Sequence, residues 1–220
     1  MQFDGVFRNA SFWLNGFYVG TNQSGYVGIN YDVTNYVNVN KENCLVVRVD
    51  ATQYEGWFYE GAGIYRHVWL NTFEQLHITD DVFICSTTKT NQTTITIDVP
   101  IQNETYNNNN CDVETYITTR EGKKLKTVTN KNILIQTGNT KIVQQQLIIP
   151  DANLWSVENP YLYRTVTLIK QQGKIIDSVQ HRIGIRTIEI KPNGVFLNGK
   201  HIIVLGVNCH QDHAGFVSAL

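Results

Sequence analysis

Asn193-Gly-Val-Phe-Leu-Asn-Gly-Lys-His-Ile-Ile-Val-Leu-Gly-Val-Asn-Cys-His-Gln-Asp-His213 is the stretch on which the reading of the chain turns. Asn198-Gly199 tolerates positive φ at both positions, which suits a tight type I′ hairpin. The hairpin leads into the apolar run Ile202 to Val207, and His210, Asp212 and His213 cluster where that run stops. The pattern predicts a buried strand with polar groups at its C-terminal end, the end at which a (β/α)₈ barrel handles substrate. A barrel takes roughly 250 residues, and this chain of 220 residues continues only to Leu220. The tail therefore has room for a barrel's entrance and no more.

Upstream, nearly every apolar segment alternates with period two, and no stretch of helical length carries an i, i+3, i+4, i+7 stripe, so an all-β chain is expected. Leu45, Val47 and Val49 face one way, and Val46, Arg48 and Asp50 the other. Asn15-Gly16 separates Ala10-Ser-Phe-Trp-Leu14 from Phe17-Tyr-Val-Gly20, a second tight hairpin. Residues 76–188 hold about seven alternating runs, the strand count of an immunoglobulin-like sandwich. Turn signals fall at Asn91, Asn107 to Asn110, Gly122, Gly138 and Gly173. The Asn107 to Asn110 run reads as a solvated loop, and the stretch from Pro150 to Pro160 as a surface crossover.

Composition narrows the function. Hydrophobic residues make up 42% and charged residues 17%, as in a globular chain, and 18 basic against 19 acidic side chains leave a net charge of −1. No basic stripe is available for counterion release, so no nucleic-acid partner is expected. No apolar run approaches the roughly 20 residues that span a bilayer, so no membrane partner is expected either. Met1-Gln-Phe-Asp-Gly lacks the charged and apolar regions of a signal peptide. Cys44, Cys85, Cys111 and Cys209 are widely spaced and read as free thiols. Asn-X-Ser/Thr sequons at Asn9, Asn22, Asn91 and Asn103 read as chance matches in a chain rich in Asn and Thr.

Four further stretches occur in a telling order: Phe3-Asp-Gly-Val-Phe-Arg-Asn-Ala10, Gly61-Ala-Gly-Ile-Tyr-Arg-His-Val-Trp-Leu70, Leu154-Trp-Ser-Val-Glu-Asn-Pro-Tyr-Leu-Tyr163 with Arg182-Ile-Gly-Ile-Arg186, and Gly206-Val-Asn-Cys-His210. In succession they resemble family 2 glycoside hydrolases, the β-galactosidase, β-glucuronidase and β-mannosidase group. The resemblance implies an incomplete jelly-roll-type, galactose-binding-like sandwich over 1–75, an immunoglobulin-like sandwich over 76–190, and a (β/α)₈ barrel stub over 191–220. It places several strands of the first domain before Phe3, so any signal sequence would lie upstream. The compartment stays open between bacterial cytoplasm and periplasm.

The resemblance also implies where chemistry resides. Glycoside hydrolysis uses two carboxyl groups flanking the scissile bond, and the family carries both on later barrel strands. No catalytic residue is therefore assigned to this chain. His210 matches the family histidine that contacts sugar hydroxyls, and Asp212 sits where a polar neighbour lies. Both would project the same way from an extended strand end. Asp50 opens a loop containing Trp57 and Tyr59, which in the family reaches the mouth of the active site. Asp50, His210 and Asp212 are the candidate substrate contacts, while Trp57 and Tyr59 equally suit an interface. Arg66 beside Tyr65 reads as a structural guanidinium making bidentate bonds, with Gly61 and Gly63 allowing close backbone approach.

Cys209-His210-Gln211-Asp212-His213 offers zinc-ligand residue types, but adjacent strand residues face opposite ways, so no metal site is assigned. No cofactor is expected in these residues; the resemblance admits a monovalent or divalent cation in the full-length parent. The leading expectation is the non-catalytic front of a glycosidase acting on terminal β-glycosides, β-galactosides first. A stand-alone carbohydrate-binding or adhesion module of two sandwiches is the alternative, and a spacer role fits residues 76–188 alone. Self-association through an exposed C-terminal strand is expected of the isolated chain.

Overall fold

The computed structural model describes residues 1–52 and 61–208, and among them there are strands, turns and irregular segments but no helix. The all-β expectation holds. The described residues fall into two compact units, 1–72 with 206–208 and 73–205.

The first unit contains β1 (Gln2–Phe3), β2 (Val6–Phe7), β3 (Ala10–Leu14), β4 (Phe17–Asn22), β5 (Ile29–Asn30), β6 (Leu45–Arg48), β7 (Gly63–Ile64) and β8 (Val68–Trp69). They form three small antiparallel sheets, β5-β1-β8, β2-β7 and β4-β3-β6. Period-two alternation decides what β3 buries: Ala10, Phe12 and Leu14 point inward, Ser11 and Trp13 outward. Phe3, Val6, Ala10 and Phe12 make the core, with Leu45, Val47 and Val49 of the alternating run packed against them. The Phe3 and Phe12 rings meet at 4.6 Å, and Tyr31 adds a third ring 5.2 Å from Phe12. Gly20 makes room for Tyr31, since a Cβ there would lie 2.3 Å from its ring. The β3–β4 turn has φ of 51° at Asn15 and 85° at Gly16, as its Asn-Gly pair predicts. Asn15 also ties the turn down, donating to the Tyr36 carbonyl at 2.7 Å and accepting from the Cys44 amide at 2.9 Å.

The second unit contains β9 (Leu76–Ile78), β10 (Phe83–Lys89), β11 (Gln92–Asn103), β12 (Asn109–Thr118), β13 (Lys124–Ile135), β14 (Thr140–Pro150), β15 (Tyr163–Gln171), β16 (Lys174–Ile183), β17 (Ile188–Lys191), β18 (Gly194–Leu197) and β19 (Lys200–Ile202). Seven long strands, β10 to β16, build a sandwich from β10-β11-β14, with β9 also on β11, and β13-β12-β15-β16. Ile95, Ile97 and Val99 from one sheet and Val113, Ile117 and Ile169 from the other are wholly buried in one shared cluster. Truncating any of these isoleucines to alanine removes about 2–5 kcal/mol of stability. Some of the polar groups inside are paired: the Thr115 and Thr167 hydroxyls lie 2.8 Å apart, and the Gln145 amide donates to the Val113 carbonyl at 2.9 Å, while Gln145 Oε1 and the Thr165 hydroxyl have no partner among the described residues.

Gly122, Gly138 and Gly173 take φ of 90°, 71° and 79° in the connections, where the sequence signalled turns. β14 stops at Pro150, and no strand forms before Tyr163, in keeping with a crossover there. The asparagine run behaves differently from a solvated loop. Asn109 and Asn110 already belong to β12, paired with Ile135 and Leu134. Buried Asn103 organises the connection, donating to the carbonyls of Asn107 and Ile135 and accepting from the Thr105 amide and hydroxyl.

Beyond the sandwich, β17, β18 and β19 form a meander, and its Asn198-Gly199 turn has φ of 51° and 77°. Asn198 anchors the meander. Its backbone and side chain exchange bonds with Thr187, and its amide donates to the Trp155 carbonyl at 3.0 Å. The apolar run does not continue as the expected buried strand: β19 ends at Ile202, and Ile203, Val204, Leu205 and Val207 are at least 75% exposed. Such a strand needs partners on both sides for its backbone groups, and none pairs with 203–208 among the described residues.

Candidate functional site

Of the three expected sugar contacts, Asp50 lies in the described residues, whereas His210 and Asp212 lie outside them, as do Glu55, Trp57, Tyr59 and Cys209. Asp50 follows β6 at the point where the sheet gives out. Its amide donates to the Arg8 carbonyl at 3.1 Å, and the Asn9 side chain donates to its carbonyl at 3.2 Å. These bonds fix the backbone of Asp50 on that of a neighbouring segment whose Arg8 is buried.

The carboxylate is asymmetric in its use. Oδ1 accepts from the Thr52 hydroxyl at 2.6 Å and the Thr52 amide at 3.2 Å, while among the described residues Oδ2 has only the exposed Arg48 guanidinium at 3.5 Å. The two Thr52 bonds hold the carboxyl below the usual carboxylate range, with the charge of Arg48 a lesser contribution. Asp50 is therefore an anion with one oxygen open to a hydroxyl donor. A glycosidase general acid needs a raised pKa, so Asp50 is unsuited to that role. Asp32, Glu121 and Glu158 are likewise shifted downward, each chiefly by hydrogen bonds to its carboxylate.

The Gly-Ile-Tyr-Arg stretch differs from its expected role in two ways. Arg66 is exposed, and its guanidinium makes no hydrogen bond or ion pair among the described residues. A Cβ on Gly63 would meet nothing within 4 Å, and what requires glycine there is φ of 133° rather than close approach. Tyr65 does the anchoring instead: its hydroxyl donates to the Gly25 carbonyl at 2.7 Å, and its ring lies over Gly5.

One group of side chains escaped the sequence reading. Asp4 accepts from the Trp69 indole at 3.0 Å and from the Gln2 amide at 3.1 Å, and His67 stacks on Trp69 with centroids 5.3 Å apart. The signal was present, because His67 and Trp69 are two apart on an extended segment and share a face. Asp4, distant in sequence, could be joined to them only by the β1–β8 register, Gln2 opposite Trp69 and Phe3 opposite Val68. No cluster of three or more His, Cys, Asp or Glu able to hold a metal occurs among the described residues.

Comparison with known proteins places these features. Residues 1–74 match the sugar binding domain of glycosyl hydrolases family 2, and residues 76–186 match the domain described as glycosyl hydrolases family 2. The chain belongs to glycosyl hydrolases family 2. It is 31% identical over 216 residues to a β-galactosidase of Bacteroides ovatus, covering 96% of this chain and 25% of that protein. A putative β-glucuronidase of Formosa agariphila is 32% identical over 229 residues, covering 100% of this chain and 27% of that protein. A family 2 member from Bacteroides cellulosilyticus superposes with a TM-score of 0.90 at 28% identity, covering 100% of this chain and 28% of that one. The chain thus spans about a quarter of the length of the curated relatives it matches.

Proposed function

We propose that this chain is the non-catalytic front of a glycoside hydrolase that removes terminal β-glycosides, with β-galactosides as the preferred class. The succession of a sugar binding domain over 1–74 and the second family domain over 76–186 carries the reading. Relatives named β-galactosidase and β-glucuronidase match it at similar identity. The choice of galactoside rests on the Bacteroides ovatus protein and on a β-galactosidase of Thermoanaerobacter pseudethanolicus that is 29% identical.

In this reading the chain supplies contacts and leaves bond cleavage to residues elsewhere. Oδ2 of Asp50 accepts a hydrogen bond from a sugar hydroxyl, and His210 and Asp212 contribute further polar contacts. Two carboxyl groups must still flank the glycosidic oxygen, one as acid and one as nucleophile or base. The test is hydrolysis of aryl β-D-galactoside and aryl β-D-glucuronide by the full-length protein. A kcat/KM about tenfold or more in favour of the galactoside, close to 1.4 kcal/mol, is expected; the reverse preference would reassign the substrate to a uronide.

A further inference from the structure

We propose that Trp69, His67 and Asp4 form a second saccharide-binding platform on the outer face of β1 and β8, in a different sheet from the strand that leads to Asp50. The inference rests on the carbohydrate-directed reading above but concerns a site that plays no part in bond cleavage. Trp69 leaves 48% of its surface exposed, yet it is not free to turn. Its indole N–H is held by Asp4 at 3.0 Å and its ring is backed by His67 at an interplanar angle of 29°. Asp4 is held in turn, because its amide donates to the His67 carbonyl at 3.0 Å and its other oxygen accepts from Gln2. Gln2 accepts from Asn71 at 3.2 Å, which extends the polar rim.

A pyranose ring presents an apolar patch of C–H groups on one face and hydroxyls around its edge. A fixed indole face matches the patch, and a rim of carboxylate and amides matches the hydroxyls. Fixing these groups beforehand lowers the ordering cost of binding. A hollow of about 420 Å³, lined by Asp4, Gly28, Tyr65, Arg66 and His67, opens beside the platform, and Arg66 offers it a guanidinium with no other partner among the described residues. Other candidates lack one of these parts. The hollow of about 670 Å³ in the second unit is lined by amides, Lys170 and Lys174 but no aromatic ring. Trp13 and Tyr18 pair at 5.7 Å on the outer face of β3 and β4, with no hydrogen bond holding either ring among the described residues.

A single open platform binds weakly, with a Kd of about 1–10 mM. Its use is to hold one unit of a longer glycan and raise the local concentration of its ends. The test is titration of the ¹⁵N-labelled chain with lactose, following the indole N–H resonance that Trp69→Phe identifies, with sorbitol as an open-chain control. A saturable shift with lactose and none with sorbitol is expected, together with loss of lactose binding in Trp69→Ala, read there from the backbone amides of His67 and Asn71, and weakening of severalfold or more in Asp4→Asn. No saturable shift at about 100 mM lactose, a hundred times a 1 mM Kd, would overturn the platform, as would a shift that survives Trp69→Ala. Melting of each variant checks that its fold is kept. Hydrolysis of a small aryl galactoside by the full-length protein should not change on Trp69→Ala. No lactose shift in the unaltered chain with hydrolysis by the full-length protein intact refutes the platform alone, whereas a lactose shift without hydrolysis by the full-length protein refutes the glycosidase reading alone.

Discussion

Asp50 shows how a side chain's neighbours decide its chemistry. A carboxylate in a loop is an ordinary residue until the Thr52 hydroxyl and amide both donate to the same oxygen. They stabilise the charged form, so the folded pKa lies below the unfolded value. The stabilisation is fully present above the unfolded pKa of roughly 3.9 and is lost as pH falls through the depressed folded value. A ¹³C titration should place the Asp50 carboxyl midpoint below that of free aspartate, and Thr52→Val should raise it toward the free value. An unchanged midpoint in that variant would mean that Thr52 does not set the charge. None of this was legible in the sequence, where Asp50 could be nominated only by resemblance. Asn103 gives a related lesson. Its sequon reads as a chance match, and its side chain is buried and spends its amide on two carbonyls, a use that depends on strands distant in sequence.

Strands and turns were far more legible, because their signals are local. Alternation in Leu45 to Val49 correctly separates the inward Leu45, Val47 and Val49 from their neighbours, and Asn15-Gly16 and Asn198-Gly199 both form turns with positive φ. Local signals cannot report what an element leans on. The hairpin at Asn198-Gly199 was expected to open a barrel, but Asn198 fastens it to Thr187 and Trp155, and Leu197 is buried. Replacing Asn198 by glycine keeps the turn's positive φ and removes the two side-chain bonds, so it should cost about 1–3 kcal/mol. The Thr187 amide should then exchange with solvent faster. Unaltered exchange at Thr187 would show that the meander is held by other contacts.

At the scale of the whole molecule, two sandwich-forming stretches are followed by an apolar run that pairs with no strand among the described residues. Ile203, Val204, Leu205 and Val207 are exposed, and apolar segments left without strand partners recruit other chains. A chain ending at Ile202 should melt at the temperature of the longer one and sediment with less self-association. One ending at Lys191 loses Leu197 and Asn198 and should be less stable by roughly 2–4 kcal/mol. Equal melting of the two truncations would mean that β18 and β19 contribute nothing to the sandwich. The sequence revealed the order of the parts through motifs that each fold locally. It left the proposed saccharide platform scattered, since Asp4, His67 and Trp69 meet only once β1 and β8 pair.

The central claim is that these 220 residues contribute carbohydrate contacts without the catalytic pair. The most direct measurement is hydrolysis of aryl β-D-galactoside and aryl β-D-glucuronide by the purified chain at high concentration. The account predicts no turnover above buffer with either substrate. Turnover that survives repurification and disappears on a single substitution within the chain would place the catalytic carboxylates here and contradict it.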